Sequence, residues 1–152
     1  MPTYDYTGDG DGTIKGDFFR KSVLMLRKMK VTDIVASDTT LMTNGVIAAG
    51  DIIQMIDIPA GFVLNSFFVK TVTPEGAALK ADFGVAGGDE AIDNYDLNQA
   101  AGTITLTGVA DDWGRDNLMG YAFSTADTLD MNFVSETDAG EWHVYIGGFF
   151  LD

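Results

Sequence analysis

Apolar and polar positions alternate along much of the chain after residue 30. In "ALKADFGV" (78–85), Leu79, Ala81, Phe83 and Val85 share one side while Lys80, Asp82 and Gly84 take the other, as a half-buried strand requires. "TITLT" (103–107) sets Ile104 and Leu106 against three threonines. "TLDMNFV" (128–134) sets Leu129, Met131 and Phe133 against Thr128, Asp130 and Asn132. Each predicts a strand whose apolar side meets a core.

Between these lie "DIIQMIDI" (51–58), "GFVLNSFFVKTV" (61–72), "LMGYAF" (118–123) and "WHVYIGGFF" (142–150), rich in β-branched and aromatic residues and punctuated by Pro59, Gly61, Pro74 and Gly76. With "TDIVAS" (32–37) the count reaches about eight short strands, and no segment beyond residue 31 carries a convincing helical stripe. The expectation is an all-β chain: a jelly-roll-like β-sandwich over residues 31–152, preceded by an N-terminal arm over residues 1–30. In the arm, "DFFRKSVLMLRKMKV" fits a helical and an extended template about equally badly. Its apolar residues need a covering surface, and a partner subunit is one candidate.

The chain has 152 residues, 46% of them hydrophobic, enough for one domain that removes roughly 70% of its unfolded surface from water. No apolar run is long enough to span a bilayer and the first residues lack the pattern of a secretory signal, so a soluble protein without a targeting segment is expected. Net charge is −14, unevenly placed: residues 1–30 carry net +2 and residues 31–152 carry net −16. A body so acidic repels phosphate backbones, which argues against a nucleic-acid partner.

Candidate chemistry is sparse. With no cysteine there are no disulfides, thiol nucleophiles or thiolate metal sites, and the single His143 offers no imidazole cluster. "TGDGDGTIKGDFF" (7–19) suggests a calcium loop, but pivoting on Gly12 puts Phe18 at the closing position and pivoting on Gly10 puts Gly16 there. Neither closes the site with a carboxylate, so the stretch reads as a solvated acidic turn, and neither a metal nor any other cofactor is expected. A hydrolase would need His143 or a carboxylate pair lining a cleft; no serine lies in a G-x-S-x-G elbow, and His143 alternates with Trp142 and Val144 onto the solvent side of a strand. "VAGGD" (85–89) lacks both the phosphate-loop lysine and the dinucleotide fingerprint. A carbohydrate-binding module is the alternative, with Tyr95, Trp113 of "DDWGRDN" (111–117) and Tyr121 as an exposed aromatic platform.

The order of segments across residues 51–152 is more informative: a strand ending in "IPAG", one reaching "VTPEG", one ending in "DFG", then "DNYDLN", "ADTLDMNF" and the closing "GEWHVYIGGFFLD". It resembles the small virion structural proteins of tailed bacteriophages regarded as capsid decoration or cement proteins. The resemblance implies a jelly-roll-like module on the outside of a phage head, made in the host cytoplasm, assembled as trimers on the major capsid protein and stabilising the expanded shell. It brings no catalytic residue and no cofactor. Phe18, Phe19, Arg20, Lys21, Arg27, Lys28 and Lys30 are the expected contact residues, because that segment alone joins apolar and basic groups on an otherwise anionic chain.

Overall fold

A computed structural model describes residues 3–5, 13–15, 22–86, 91–106 and 120–150. Two five-stranded sheets pack face to face, the all-β sandwich expected from the alternation. The first sheet orders its strands β1 (Thr3–Asp5), β4 (Ile52–Ile58), β9 (Asp127–Phe133), β6 (Lys80–Gly84) and β7 (Ile92–Asp96). The second orders β2 (Thr13–Lys15), β3 (Ser22–Lys30), β10 (Glu141–Phe150), β5 (Phe62–Thr73) and β8 (Ile104–Leu106). Pairing is antiparallel except for β1 with β4.

The inward positions supply the core. Ile53, Met55, Ala81, Phe83, Leu129, Met131 and Phe133 of the first sheet meet Met29, Leu64, Phe67, Val69, Trp142, Val144 and Ile146 of the second, all buried. Phe67 and Phe83 touch with ring centroids 5.8 Å apart, and Phe83 meets Tyr95 edge to face at 5.5 Å. Each such side chain taken from water contributes about 1.5–3 kcal/mol, so this interior dominates the stability of the fold.

Part of the segment expected as an arm is sheet. β3 runs antiparallel to β10 in an unbroken register from Lys30↔Glu141 to Ser22↔Phe149, with Val23, Arg27 and Met29 buried on its inner side. Its alternation was obscured because one inward position holds an arginine and the outward ones include leucines.

Three local expectations are corrected. "TDIVAS" is helical: α1 (Val31–Ser37) and α2 (Thr39–Asn44) follow β3. Val31 and Ile34, three apart, are both buried, while Asp38 caps α2 by accepting from the Thr40 and Leu41 amides at 2.8 and 3.1 Å. Within "LMGYAF", the described residues 120–123 form no regular strand, but they lie against the start of β5 through an Ala122–Val63 bridge and backbone hydrogen bonds of Gly120 and Tyr121 with Leu64 and of Phe123 with Gly61 and Phe62. β8 is a strand, but its apolar side faces outward, with Ile104 55% and Leu106 52% exposed. The parity of pairing decides this. Thr105 lies opposite the buried Val69, so Leu106 and Ile104 must stand beside outward-facing Phe68 and Lys70. β7 was not anticipated, since its Asp93 and Asn94 interrupt any apolar alternation.

Candidate docking surface

The outer faces of the two sheets differ in chemistry. On the first, Gln54, Thr128 and Asp130 form a polar chain in which Gln54 Nε2 donates to Thr128 Oγ1 at 3.3 Å and Thr128 Oγ1 donates to Asp130 Oδ1 at 2.7 Å. On the second, the registers place an apolar row across four strands: Leu26 of β3, Tyr145 of β10, Phe68 of β5 and Leu106 of β8. Three inter-strand spacings make this row about 14 Å long. The rings of Tyr145 and Phe68 are stacked, centroids 4.5 Å apart and 12° from parallel. Each aromatic thus spends one face on the other, and both side chains are half-buried. Leu24, 41% exposed, extends the apolar area toward β2.

The adjoining row is cationic. Lys28, His143 and Lys70 stand side by side on β3, β10 and β5, with Ile104 at the end on β8. His143 Nε2 lies 2.9 Å from Glu141 Oε1, its neighbour on the same side of β10. A hydrolytic triad would need a hydroxyl beside the imidazole, whereas its cross-strand neighbours are both lysines. Lys30, at the end of β3, pairs with Asp33 at 3.5 Å in an exposed bridge.

The structure sorts the candidate residues unequally. Lys28 and Lys30 are exposed on the outer face, but Arg27 is turned into the sandwich and only 3% exposed, because its partner Val144 occupies an inward position. Phe18, Phe19, Arg20 and Lys21 lie outside the described residues, as does Trp113. So does the acidic stretch 7–19 apart from Thr13–Lys15, which form β2.

The aromatic platform is not assembled as expected. Tyr95 is 2% exposed, with its hydroxyl 2.7 Å from Thr71 Oγ1 inside the core, because β7 sends it toward the opposite sheet. Burial raises its phenol pKa above the ordinary 10.0, the Thr71 and Thr105 hydroxyls oppose that shift, and the charge of Asp96 adds to it. Tyr121 is 51% exposed and packs edge to face against Phe123. Sequence reasoning missed Phe68, Lys70, Ile104, Leu106 and Tyr145, which come together only through registers among strands distant in the chain. The signal that could have found them is the outward parity of "SFFVKTV" and "HVYIG" once β5 and β10 are paired.

No family model matches the chain, and no curated protein matches it in sequence. Solved structures do match in shape. One chain from the capsid of Ralstonia phage GP4 superposes with a TM-score of 0.63 at 14% identity, over 97% of this chain and 98% of that one. Another, from the capsid asymmetric unit of cyanophage Pam1, gives a TM-score of 0.60 at 11% identity, over 95% and 96%. The fold is one found in phage capsids. Coverage near completeness in both directions means that the three chains are of similar size, and the likeness extends over β1 to β10 rather than a shared fragment. Among the described residues no helix is long and apolar enough to cross a membrane.

Proposed function

We propose that this protein is a structural component of a bacteriophage virion, a decoration or cement protein that binds the exterior of the head and stabilises it through contacts with the major capsid protein. The observation that carries the reading is the end-to-end likeness in shape to two capsid chains of similar length. The outer face of the second sheet is the docking surface. Leu24, Ile104 and Leu106 are about half exposed, so covering them would recover roughly half of the about 1.5–3 kcal/mol that full burial of such a side chain contributes. Phe18, Phe19, Arg20 and Lys21, which precede β3 in the chain, keep their expected contact role, as do Lys28 and Lys30. A trimer would bring three such faces to the shell together, so that modest individual contacts combine through effective concentration. The role is adhesive and asks for no catalytic group.

The test is decoration of purified heads lacking this protein. Wild-type chain should co-sediment with heads to saturation and raise the temperature at which they release their contents. Ile104→Asp/Leu106→Asp, altered where the side chains are more than half exposed, should keep the melting temperature of the free chain and lose occupancy. Heads that take up no wild-type protein, or take it up and gain no resistance, would end this reading.

A further inference from the structure

β8 forms an edge of the second sheet, and among the described residues no strand pairs with its free side. Its register with β5 sets which backbone groups face outward. Thr105 lies opposite Val69, and two residues along the ladder the Thr71 amide donates to the Thr103 carbonyl at 2.9 Å. Hydrogen-bonded pairs alternate in an antiparallel ladder, so Thr105 is spent on Val69 while the N–H and C=O groups of Ile104 and Leu106 point away from β5. Among the described residues nothing bonds to them on that side.

The other sheet edges are guarded. β1 carries Asp5, β2 carries Lys15, and β7 carries Asp93 and Asp96 and is further broken by Asn94 at φ of +53°. Charges and irregular backbone of this kind keep an edge from pairing with another chain. β8 has neither a charge nor a proline, and both its apolar side chains are more than half exposed.

A strand that pairs with its own copy needs a register in which donors meet acceptors under a two-fold axis. Centring the axis on Thr105 supplies it. Ile104 of each copy falls opposite Leu106 of the other, outward groups against outward groups, and each pair exchanges both hydrogen bonds. The same register sets Ile104 beside Leu106 on the outer face, so the exposed side chains of each copy cover those of the other. The nearest charge on that face is Lys70 of β5. Three inter-strand spacings, about 14 Å, separate it from its copy, beyond the roughly 8 Å screening length of physiological salt. His143, Glu141 and Lys28 stand one or two strands further away and take no part.

The geometry points to a second copy of this chain on the β8 edge, paired antiparallel through Ile104, Thr105 and Leu106 so that the second sheets of both copies become one continuous sheet. The contact uses the backbone edge, leaves the outer face open and does not rest on the docking role above. It is separate from any trimer, which needs a three-fold contact elsewhere. A contact of three residues is weak in free solution, and repulsion between two bodies of net charge −14 weakens it further until salt screens it.

The test is covalent capture in the full chain, which has no cysteine of its own. Under the two-fold axis Thr105 meets its own copy in a non-hydrogen-bonded pair with Cα atoms about 4.5 Å apart, within disulfide reach, whereas the two Ile104 positions are about 8 Å apart. At high salt and high protein concentration in a thiol–disulfide buffer, Thr105→Cys should be trapped as a covalent dimer and Ile104→Cys should not. The wild-type chain should show a concentration-dependent doubling of sedimenting mass that Leu106→Pro abolishes. That substitution deletes an outward N–H and should leave the melting temperature unchanged. Ile104→Glu, which sets its carboxylate beside Lys70 of its own chain, is the second blocking variant in case the proline disturbs the fold. A mass that never doubles with Thr105→Cys left uncoupled, equal coupling of the two cysteine variants, or doubling that survives both blocking variants would overturn the inference. So would Ile104 and Leu106 amides protected from hydrogen exchange in the dilute chain, since its own residues would then cover the edge.

Discussion

The hydroxyls of Tyr95 and Thr71 lie 2.7 Å apart in the interior, joining the edge strand β7 of the first sheet to β5 of the second. The bond is enclosed by apolar neighbours, among them Phe83 against the Tyr95 ring. Tyr95→Phe keeps the ring and deletes the hydroxyl, leaving the buried Thr71 oxygen short of a partner. The expected loss is about 1–2 kcal/mol, read as a lower urea midpoint at unchanged slope.

The same residue gives an alkaline signature. Burial holds the Tyr95 phenol above its ordinary value of 10.0, so the folded state keeps a proton that the unfolded state releases first. The contribution is therefore complete below about pH 10 and is lost as pH rises from there through the higher native value. The stability difference between wild type and Tyr95→Phe should be constant from neutral pH to about 10 and shrink above it. A difference that stays flat to higher pH would mean that the phenol is not held neutral by the fold.

Two glycines mark places where the surrounding atoms leave no room for a side chain. At Gly148, beside the register shift of β10, an added Cβ would run into the Val63 carbonyl oxygen and the Phe62 ring. At Gly140, with φ of +105°, it would run into the Trp142 ring. Backbone cannot yield as a side chain can, so Gly148→Ala should cost about 3 kcal/mol or more. Gly140→Ala combines a crowded indole with a disfavoured dihedral and should cost about 2–4 kcal/mol. Thermal unfolding of both variants checks the order of magnitude.

How much of this was legible in the sequence follows from which signals are local. Ala81, Phe83, Leu129, Met131 and Phe133 alternate cleanly, and all are buried. Parity within a strand is a property of the strand alone. Which side of β8 faces the core is not, because Thr105 is set by Val69 across the ladder, and the threonines of "TITLT" made the wrong side look exposed. β3 was hidden by Arg27 at an inward position, and α1 by a run too short for its Val31 and Ile34 to show a stripe. The proposed docking face was illegible for the same reason as β8: its residues come from four strands and share a side only after pairing.

Asp38 is the local signal that separates helix from strand after residue 30. Its carboxylate accepts from the amides of Thr40 and Leu41, two donors that the first turn of α2 would otherwise leave without a helical partner. Asp38→Ala should cost about 1 kcal/mol, whereas Asp38→Asn, which keeps the acceptor, should cost only a few tenths. Equal losses for the two would mean that the charge, and not the hydrogen bonds, is what matters at the cap.

Arg27 and Lys28 are neighbours in the chain and opposites in the fold. Arg27 is buried at 3% exposure on the inner side of β3, and Lys28 faces out beside His143. Reversing charge at each position should therefore report on different properties. Arg27→Glu forces a carboxylate into the interior, where an uncompensated charge costs several kcal/mol, and the chain should fail to fold or melt far below wild type. Lys28→Glu changes an exposed side chain and should cost far less stability than Arg27→Glu while altering association through the outer face. A double reversal would confuse unfolding with lost contact, so the informative pair is Lys28 with Lys70. If Arg27→Glu folded with wild-type stability, β3 could not be seated in the second sheet with this parity, and the apolar row from Leu26 to Leu106 would not exist.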